Sequence, residues 1–319
     1  MQAYALEIEL RAFVENVALA STAHRWNHRG VTAPATSRDA SPPIVRFVGV
    51  RKSFGALRVL QDIDLTFNTG ETTVVLGPSG VGKSVLLKHI AGLLRPDRGE
   101  VWFRDTRIDG MNERRLSGIR REIGFLFQQA ALFDSMSVEE NVAFPLTEHT
   151  SLGRAERRER VSEALRTVGI EGMLAKLPAQ LSGGQRKRVG LARAIILKPA
   201  LILYDEPTTG LDPVRADGIN ELILKMRSEL GVSGIVVTHD ITSARKVADR
   251  LVMLRDGRVV ADGTFDELES SPDPYVQHFL RGRYDPAMDE PTSHNGVPVP
   301  HSAGSSGDDD APRHEAGEA

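Results

Sequence analysis

Gly77-Pro78-Ser79-Gly80-Val81-Gly82-Lys83-Ser84 decides the fold of this chain. The short apolar run Thr72–Leu76 leads straight into it, and Val85, Leu86, Leu87 and Ile90 follow at helical spacing up to about Gly92. Strand, Gly-rich loop and helix in that order are the setting a nucleotide phosphate loop requires. The glycines let backbone N–H groups approach phosphate oxygens closely, and the N-terminus of the following helix complements negative charge. In such a loop Lys83 reaches the β- and γ-phosphates, and the Ser84 hydroxyl binds Mg²⁺.

The partners of that loop lie further along the chain. Leu201–Tyr204 and Gly234–Val237 are continuous apolar runs, as expected of strands buried on both faces of a parallel sheet. Asp205 and Glu206 end the first run, where such sheets bind ligands. Asp205 is placed to hold Mg²⁺ through water, and Glu206 to orient and polarise an attacking water. His239 follows the second run and is expected to contact the γ-phosphate and that water. Gln128, after the apolar run 124–127, is a further contact for Mg²⁺ or the water. A second Gly-rich segment, Leu181-Ser182-Gly183-Gly184-Gln185, precedes a helical stretch through Arg193. Its Ser182 and bare Gly183-Gly184 backbone offer donors and a helix N-terminus to a phosphate. One chain cannot easily aim two helix N-termini at opposite sides of one γ-phosphate, so the expected assembly is a head-to-tail dimer in which each segment completes its partner's site.

Composition narrows the remaining classes. The 319 residues are 40% apolar with few aromatics, enough for a large core, and the net charge of −3 gives no overall affinity for nucleic acid. With no cysteine, disulfide frameworks, thiol catalysis and Cys-based zinc sites are excluded. No stretch approaches the ~18 uninterrupted apolar residues of a membrane span. Glu7, Glu9, Arg11 and Glu15 break any secretory h-region, while Leu6, Leu10, Phe13, Val14 and Val17 recur at helical spacing. Residues 1–43 therefore read as a partly helical extension with a linker. Residues 44–270 read as the folded cassette, with a small antiparallel sheet from Ile44 to about Phe67 and a helical subdomain over about 112–190. Leu251–Leu254 and Arg258–Val260 flank Asp256-Gly257, a hairpin signal. Residues 271–319 read as an extension, mostly disordered after about 284. The basic run Arg154, Arg157, Arg158 and Arg160 reads as a solvated helix face balanced by Glu156 and Glu159. His24 and His28, at i,i+4 spacing, have no third metal ligand in view.

Taken together, these residues resemble the ATP-binding cassette (ABC) ATPases over about residues 44–270. Walker A matches at Gly77–Ser84, the Q-loop at Gln128, the signature at Leu181–Gln185 and Walker B at Leu201–Asp205. Glu206 matches the catalytic glutamate, Gly210-Leu211-Asp212 the D-loop and His239 the switch histidine. Phe54 stands where the family places an aromatic on adenine, and Val85 where most cassettes carry Thr or Ser. The resemblance implies an α/β fold: a P-loop NTPase (RecA-like) core with an antiparallel β subdomain and a helical signature subdomain. Two cassettes would sandwich two ATP molecules with Mg²⁺, the nucleotide contacts including Phe54, Gly77, Pro78, Ser79, Gly80, Val81, Gly82, Lys83, Ser84, Val85, Asp205, Ser182, Gly183, Gly184, Gln185 and Asp212.

A narrower resemblance is to the ATPases of MCE lipid-transport systems of the Mla/Mkl type. It rests on Val85 with the rest of Gly82–Lys88, on Ala131–Val138 leading into Glu139–Leu146, on Lys187–Ala194 and on Phe279–Gly282. Gln185 departs from that group, many of whose members carry Met there. The resemblance implies a homodimer bound peripherally, on the cytoplasmic face of a bacterial inner membrane, to two copies of a permease, with MCE-domain lipid-binding proteins as further partners. A cassette serving a polar solute such as amino acids stays open, as does a soluble ABC ATPase of repair or translation. The short Gln128–Ser182 interval and the single cassette speak against the soluble type.

Overall fold

The computed structural model describes residues 42–283. The expected N-terminal helix, the His24/His28 pair and the tail after 284 lie outside the described residues. The chain opens with β1 (Pro43–Phe54) and β2 (Leu57–Asn68), two long strands paired antiparallel. β3 (Thr72–Leu76) then runs into the Gly-rich loop and α1 (Lys83–Ile90). β4 (Arg98–Phe103) and β5 (Thr106–Arg107) return to the first sheet, whose order is β2-β1-β4-β5.

α2 (Glu113–Arg120) starts at Asn112, whose side chain accepts from the Arg115 N–H, and leads to β6 (Ile123–Leu126). A helical layer follows: α3 (Val138–His149), α4 (Arg154–Thr167) and, after a 3₁₀ turn at Pro178–Gln180, α5 (Gly183–Ile195). α3 and α5 both begin with reciprocal capping boxes, Ser137 with Glu140 and Ser182 with Gln185, which satisfy N–H groups the first helical turn leaves over. Val138, Val142 and Leu146 of α3, Val161 and Leu165 of α4 and Val189 of α5 form the buried side of this layer.

The remaining elements are β7 (Leu201–Asp205), α6 (Pro213–Leu230), β8 (Ser233–Thr238), α7 (Ile241–Val247), β9 (Arg250–Arg255), β10 (Arg258–Gly263), α8 (Phe265–Glu269) and α9 (Pro274–Leu280). The second sheet has the order β10-β9-β3-β8-β7-β6. Its strands pair parallel from β9 to β6, and β10 closes the edge antiparallel. Every residue of β3, β6, β7 and β8 is buried, the apolar runs together with Thr72, Thr73, Asp205, Ser233 and Thr238 at the strand ends. One apolar core joins Phe47, Phe67 and Phe103 of the first sheet to Leu86, Leu87 and Ile90 of α1 and to Val75, Leu203 and Val237 of the second.

One segment differs from expectation. The stretch 112–190 is not wholly helical: β6 lies inside it and pairs with β7, Leu126 opposite Tyr204. A four-residue strand in a charged, helix-rich stretch shows no period of its own, and its place is set by a partner almost 80 residues further on.

Candidate functional site

In the order β3-β8-β7-β6, four adjacent parallel strands present their C-terminal ends side by side, where open α/β sheets bind ligands. The phosphate loop leaves β3, His239 leaves β8, Asp205-Glu206 ends β7 and Gln128 follows β6. Residues scattered over more than 160 positions thus gather at one end of the strands.

The loop is shaped by its neighbours as well as by any ligand. Gly82, at φ 108°, caps α1, and a Cβ there would lie 2.9 Å from the Val59 carbonyl and 3.0 Å from Leu60. A Cβ on Gly77 would come within 2.6 Å of the Leu254 carbonyl. These two glycines are therefore demanded by β2 and β9 packed against the loop. Lys83 folds its ammonium onto the loop itself, donating to the Gly77 and Pro78 carbonyls at 2.7 and 3.0 Å. The same ammonium lies 3.7 Å from Glu206 Oε1. Burial pulls the Lys83 pKa down, and the nearby Glu206 and Asp205 carboxylates oppose it.

Ser84 Oγ donates to Asp205 Oδ1 at 2.8 Å. Burial raises the Asp205 pKa, with the Glu206 charge adding to the rise and the Ser84 bond opposing it. Glu206 sits in the left-handed region at φ 47°, uncommon for a residue with a Cβ. Its N–H donates to the Val237 carbonyl at 2.9 Å, and its own carbonyl accepts from Lys187 Nζ at 3.0 Å. Its Oε2 accepts from Thr209 Oγ1 at 3.0 Å, Thr238 Oγ1 at 3.4 Å and His239 Nδ1 at 3.0 Å. A carboxylate so oriented is an acceptor with its second oxygen turned towards Lys83.

Other expected residues stand differently. The Gln128 side chain is exposed, and its backbone carbonyl accepts from Lys187. Ser182 and Gln185 are engaged with each other in the capping box, which leaves the N–H groups of the Gly183-Gly184 turn as the donors at that helix end. Asp212 caps α6, accepting from the Arg215 N–H at 3.0 Å. Phe54, 46% exposed at the end of β1, holds the Lys52 ammonium 5.4 Å from its ring centre. Val85 is half-buried against the core. Between Gln128–Asp134 and Gly210–Leu211 lies a cavity of about 480 Å³, lined also by Gly183, Arg186 and Lys187.

Thr209, Thr238 and Lys187 were missed in the sequence. The two hydroxyls carry no local signal. Lys187 does: it falls in one helical row with Gly184, Leu191 and Ile195, all buried, where a cation is out of place. Burial pulls its pKa down to about 8, against the pull of Asp205 and Glu206.

Comparison with known proteins agrees with this geometry. The family model described as ABC transporter matches residues 60–209. MlaF of Escherichia coli K12, the ATP-binding protein of an intermembrane phospholipid transport system, is 42% identical over 224 residues, covering 70% of this chain and 83% of MlaF. The chain belongs to the ABC transporter ATP-binding family. Another relative of this ABC chain is the probable ribonucleotide transport ATP-binding protein Mkl of Mycobacterium tuberculosis H37Rv. It is 46% identical over 235 residues, covering 74% of this chain but only 66% of Mkl. Among solved structures, a dimeric ATP-binding cassette in a post-hydrolysis state with ADP and Pi superposes with a TM-score of 0.65 at 36% identity, covering 69% of this ABC chain and 98% of that one. Among the described residues, no helix is long and apolar enough to cross a membrane.

Proposed function

We propose that this chain is the ATP-hydrolysing subunit of a bacterial envelope lipid transporter, dimerising head to tail on ATP to drive two copies of a membrane permease. The observation that carries the ATPase reading is the convergence of the phosphate loop, Ser84–Asp205, Glu206 and His239 at the C-terminal ends of the parallel strands. ATP is the substrate. Gly77–Ser84 would cradle its phosphates, with Lys83 exchanging the loop carbonyls for phosphate oxygens, and Phe54 would stack on adenine. The donors around Ser84 and Asp205 fit Mg²⁺, a hard cation that takes hydroxyl and carboxylate oxygens and keeps several waters. Ser84 and Asp205 would hold it, Gln128 joining them, and when bound it neutralises charge on the β- and γ-phosphates. Glu206 orients a water for attack on the γ-phosphorus and takes its proton as the bond to ADP breaks. His239, hydrogen-bonded to Glu206, would donate to the γ-phosphate. Across the dimer, Ser182–Gln185 of the partner subunit, with its Asp212 region, would close over the same nucleotide.

The lipid cargo is supported by the identity with MlaF and by the motifs shared with MCE-type ATPases. The name of Mkl favours the second reading, a polar cargo such as a ribonucleotide. Phosphate release by the purified protein with ATP and Mg²⁺ tests the engine. Capture of tagged Glu206→Gln protein from detergent-solubilised membranes with ATP tests the cargo. A multi-span permease recovered with MCE-domain proteins supports lipid transport, a permease with a solute receptor supports the polar reading, and no membrane partner at all would overturn both.

A further inference from the structure

The helix behind the signature segment grips two parts of the site from the rear. Lys187 of α5 is 4% exposed, and its ammonium donates to two backbone carbonyls, those of Gln128 and, at 3.0 Å, Glu206. Six residues on, the buried Arg193 donates to the Ala130 and Ala131 carbonyls at 2.8 and 2.9 Å. Between the two cations Gly190 lies so close that an added Cβ would stand 3.1 Å from the Ala130 Cβ. Ala130 and Ala131 both have positive φ, 61° and 45°, a conformation that their surroundings must impose. The segment 128–131 is thus moulded onto α5.

Glu206 has the same kind of restraint. Its left-handed backbone is tethered through its N–H to β8 and through its carbonyl to Lys187. Both tethers act on the peptide units that set the direction of its side chain. A buried ammonium is costly unless carbonyls or carboxylates satisfy it, so the Lys187 contacts are strongly preferred over an unpaired ammonium.

We infer that Lys187 is a positioning residue for hydrolysis, making the aim of the Glu206 carboxylate depend on where the signature helix sits. This rests on the ATPase reading of Glu206. α5 begins at the Ser182–Gln185 turn, which would meet the partner subunit's nucleotide, and Lys187 lies one turn further along the same helix. A shift of that turn moves Lys187 as part of a rigid element, and with it the carbonyls of Gln128 and Glu206. Engagement at one nucleotide is thereby felt by the carboxylate that serves the other.

The test compares full-length wild type, Lys187→Met, which keeps the apolar stem, and Lys187→Arg, which restores donors. The readouts are steady-state ATPase kinetics, mant-ATP affinity and nucleotide-free amide hydrogen exchange. Lys187→Met is expected to lower kcat by about 30-fold or more while KM and mant-ATP affinity stay within about 3-fold. Peptides over 126–132 and 204–211 should exchange about 10-fold faster, with β3 unchanged, and Lys187→Arg should recover most of both effects. Wild-type kcat in Lys187→Met would overturn the inference. So would loss of affinity and of β3 protection in parallel with kcat, unrescued by arginine, since that is what a merely structural cation produces. A wild type that turns over no ATP would instead overturn the ATPase reading, and the exchange comparison would still decide whether Lys187 holds Glu206.

Discussion

Ser84 and Asp205, 121 residues apart in the chain, are joined by a hydrogen bond of 2.8 Å. The first lies in the opening turn of α1 and the second ends β7, with β8 between their strands in the sheet. Asp205→Asn keeps an acceptor for Ser84 and removes the charge. Burial already disfavours that charge, raising the Asp205 pKa, so the ionised form costs stability at neutral pH. The variant is expected to melt at the same temperature or higher, and to need at least about 10-fold more Mg²⁺ for half-maximal ATPase activity. Thermal melts and a Mg²⁺ titration check this; a lower melting temperature together with an unchanged Mg²⁺ requirement would make Asp205 a structural residue.

Glu206→Gln retains an oxygen that can accept from Thr209, Thr238 and His239, so the local geometry should survive. The amide cannot take a proton from water. Turnover is expected to fall at least about 100-fold with nucleotide affinity kept within a few-fold. Light scattering after gel filtration should show dimers accumulating with ATP. Turnover near wild type would remove Glu206 from the chemistry.

Much of this site is legible in the sequence, and the exceptions share a cause. β3, its loop and α1 were readable because the glycines, Lys83 and Ser84 are adjacent in sequence. The Asp256-Gly257 turn was readable too, and both residues take the positive φ, 48° and 70°, that a tight hairpin needs. β6 was not separable from its helical surroundings, because four residues carry no period and only β7 fixes their register. Thr238 and Lys187 reach Glu206 from another strand and another helix, with no spacing rule to connect them to it, and Thr209 reaches it only because the chain turns back within three residues. Asp212-Pro213 could have been read as a helix start, an acidic cap followed by proline at the first helical position, which is how the structure uses it.

His149, at the end of α3, gives the fold an acid-sensitive point. Burial, with the positive charge of Arg121 adding to it, brings its pKa down from 6.5 to about 4. Below pH 6.5 the unfolded chain takes up a proton that the folded one refuses until about pH 4, so stability falls as pH drops through that window. His149→Gln lacks this proton and should lose about 1–3 kcal/mol less stability than wild type between pH 7 and 4.5. Urea unfolding at the two pH values measures it. Parallel losses in both proteins would mean the imidazole is more open to water than its position at the helix end implies.

Asn141 is wholly buried in α3, and its side chain holds the loop before that helix together. Its Oδ1 accepts from the Phe133 N–H at 2.8 Å, and its amide donates to the carbonyls of Phe133, Met136 and Ser137 at 3.1, 2.9 and 3.1 Å. Phe133 in turn packs on Phe144 with ring centres 5.0 Å apart. Asn141→Leu fills the space but leaves those backbone groups without partners, at a cost of about 1–3 kcal/mol for each group that water cannot reach. Unfolding should register a total loss of about 2–4 kcal/mol, since the loop will relax and recover part of it. Gln128–Ala131 keep their own hydrogen bonds to Lys187 and Arg193, the latter touching this loop only through its cation 5.9 Å from the Phe133 ring centre, so basal ATPase activity should stay within about 3-fold of wild type. We propose, by contrast, that the permease docks on the region Ala130–Met136 with Asn141–Pro145, which contains Phe133 and the loop that Asn141 holds. In vesicles carrying the permease, transport per ATP hydrolysed should therefore fall, as it should for Phe133→Ala, which leaves the Asn141 bonds in place. If basal ATPase and transport fell equally in both variants, the loop would be serving the nucleotide site rather than the membrane partner.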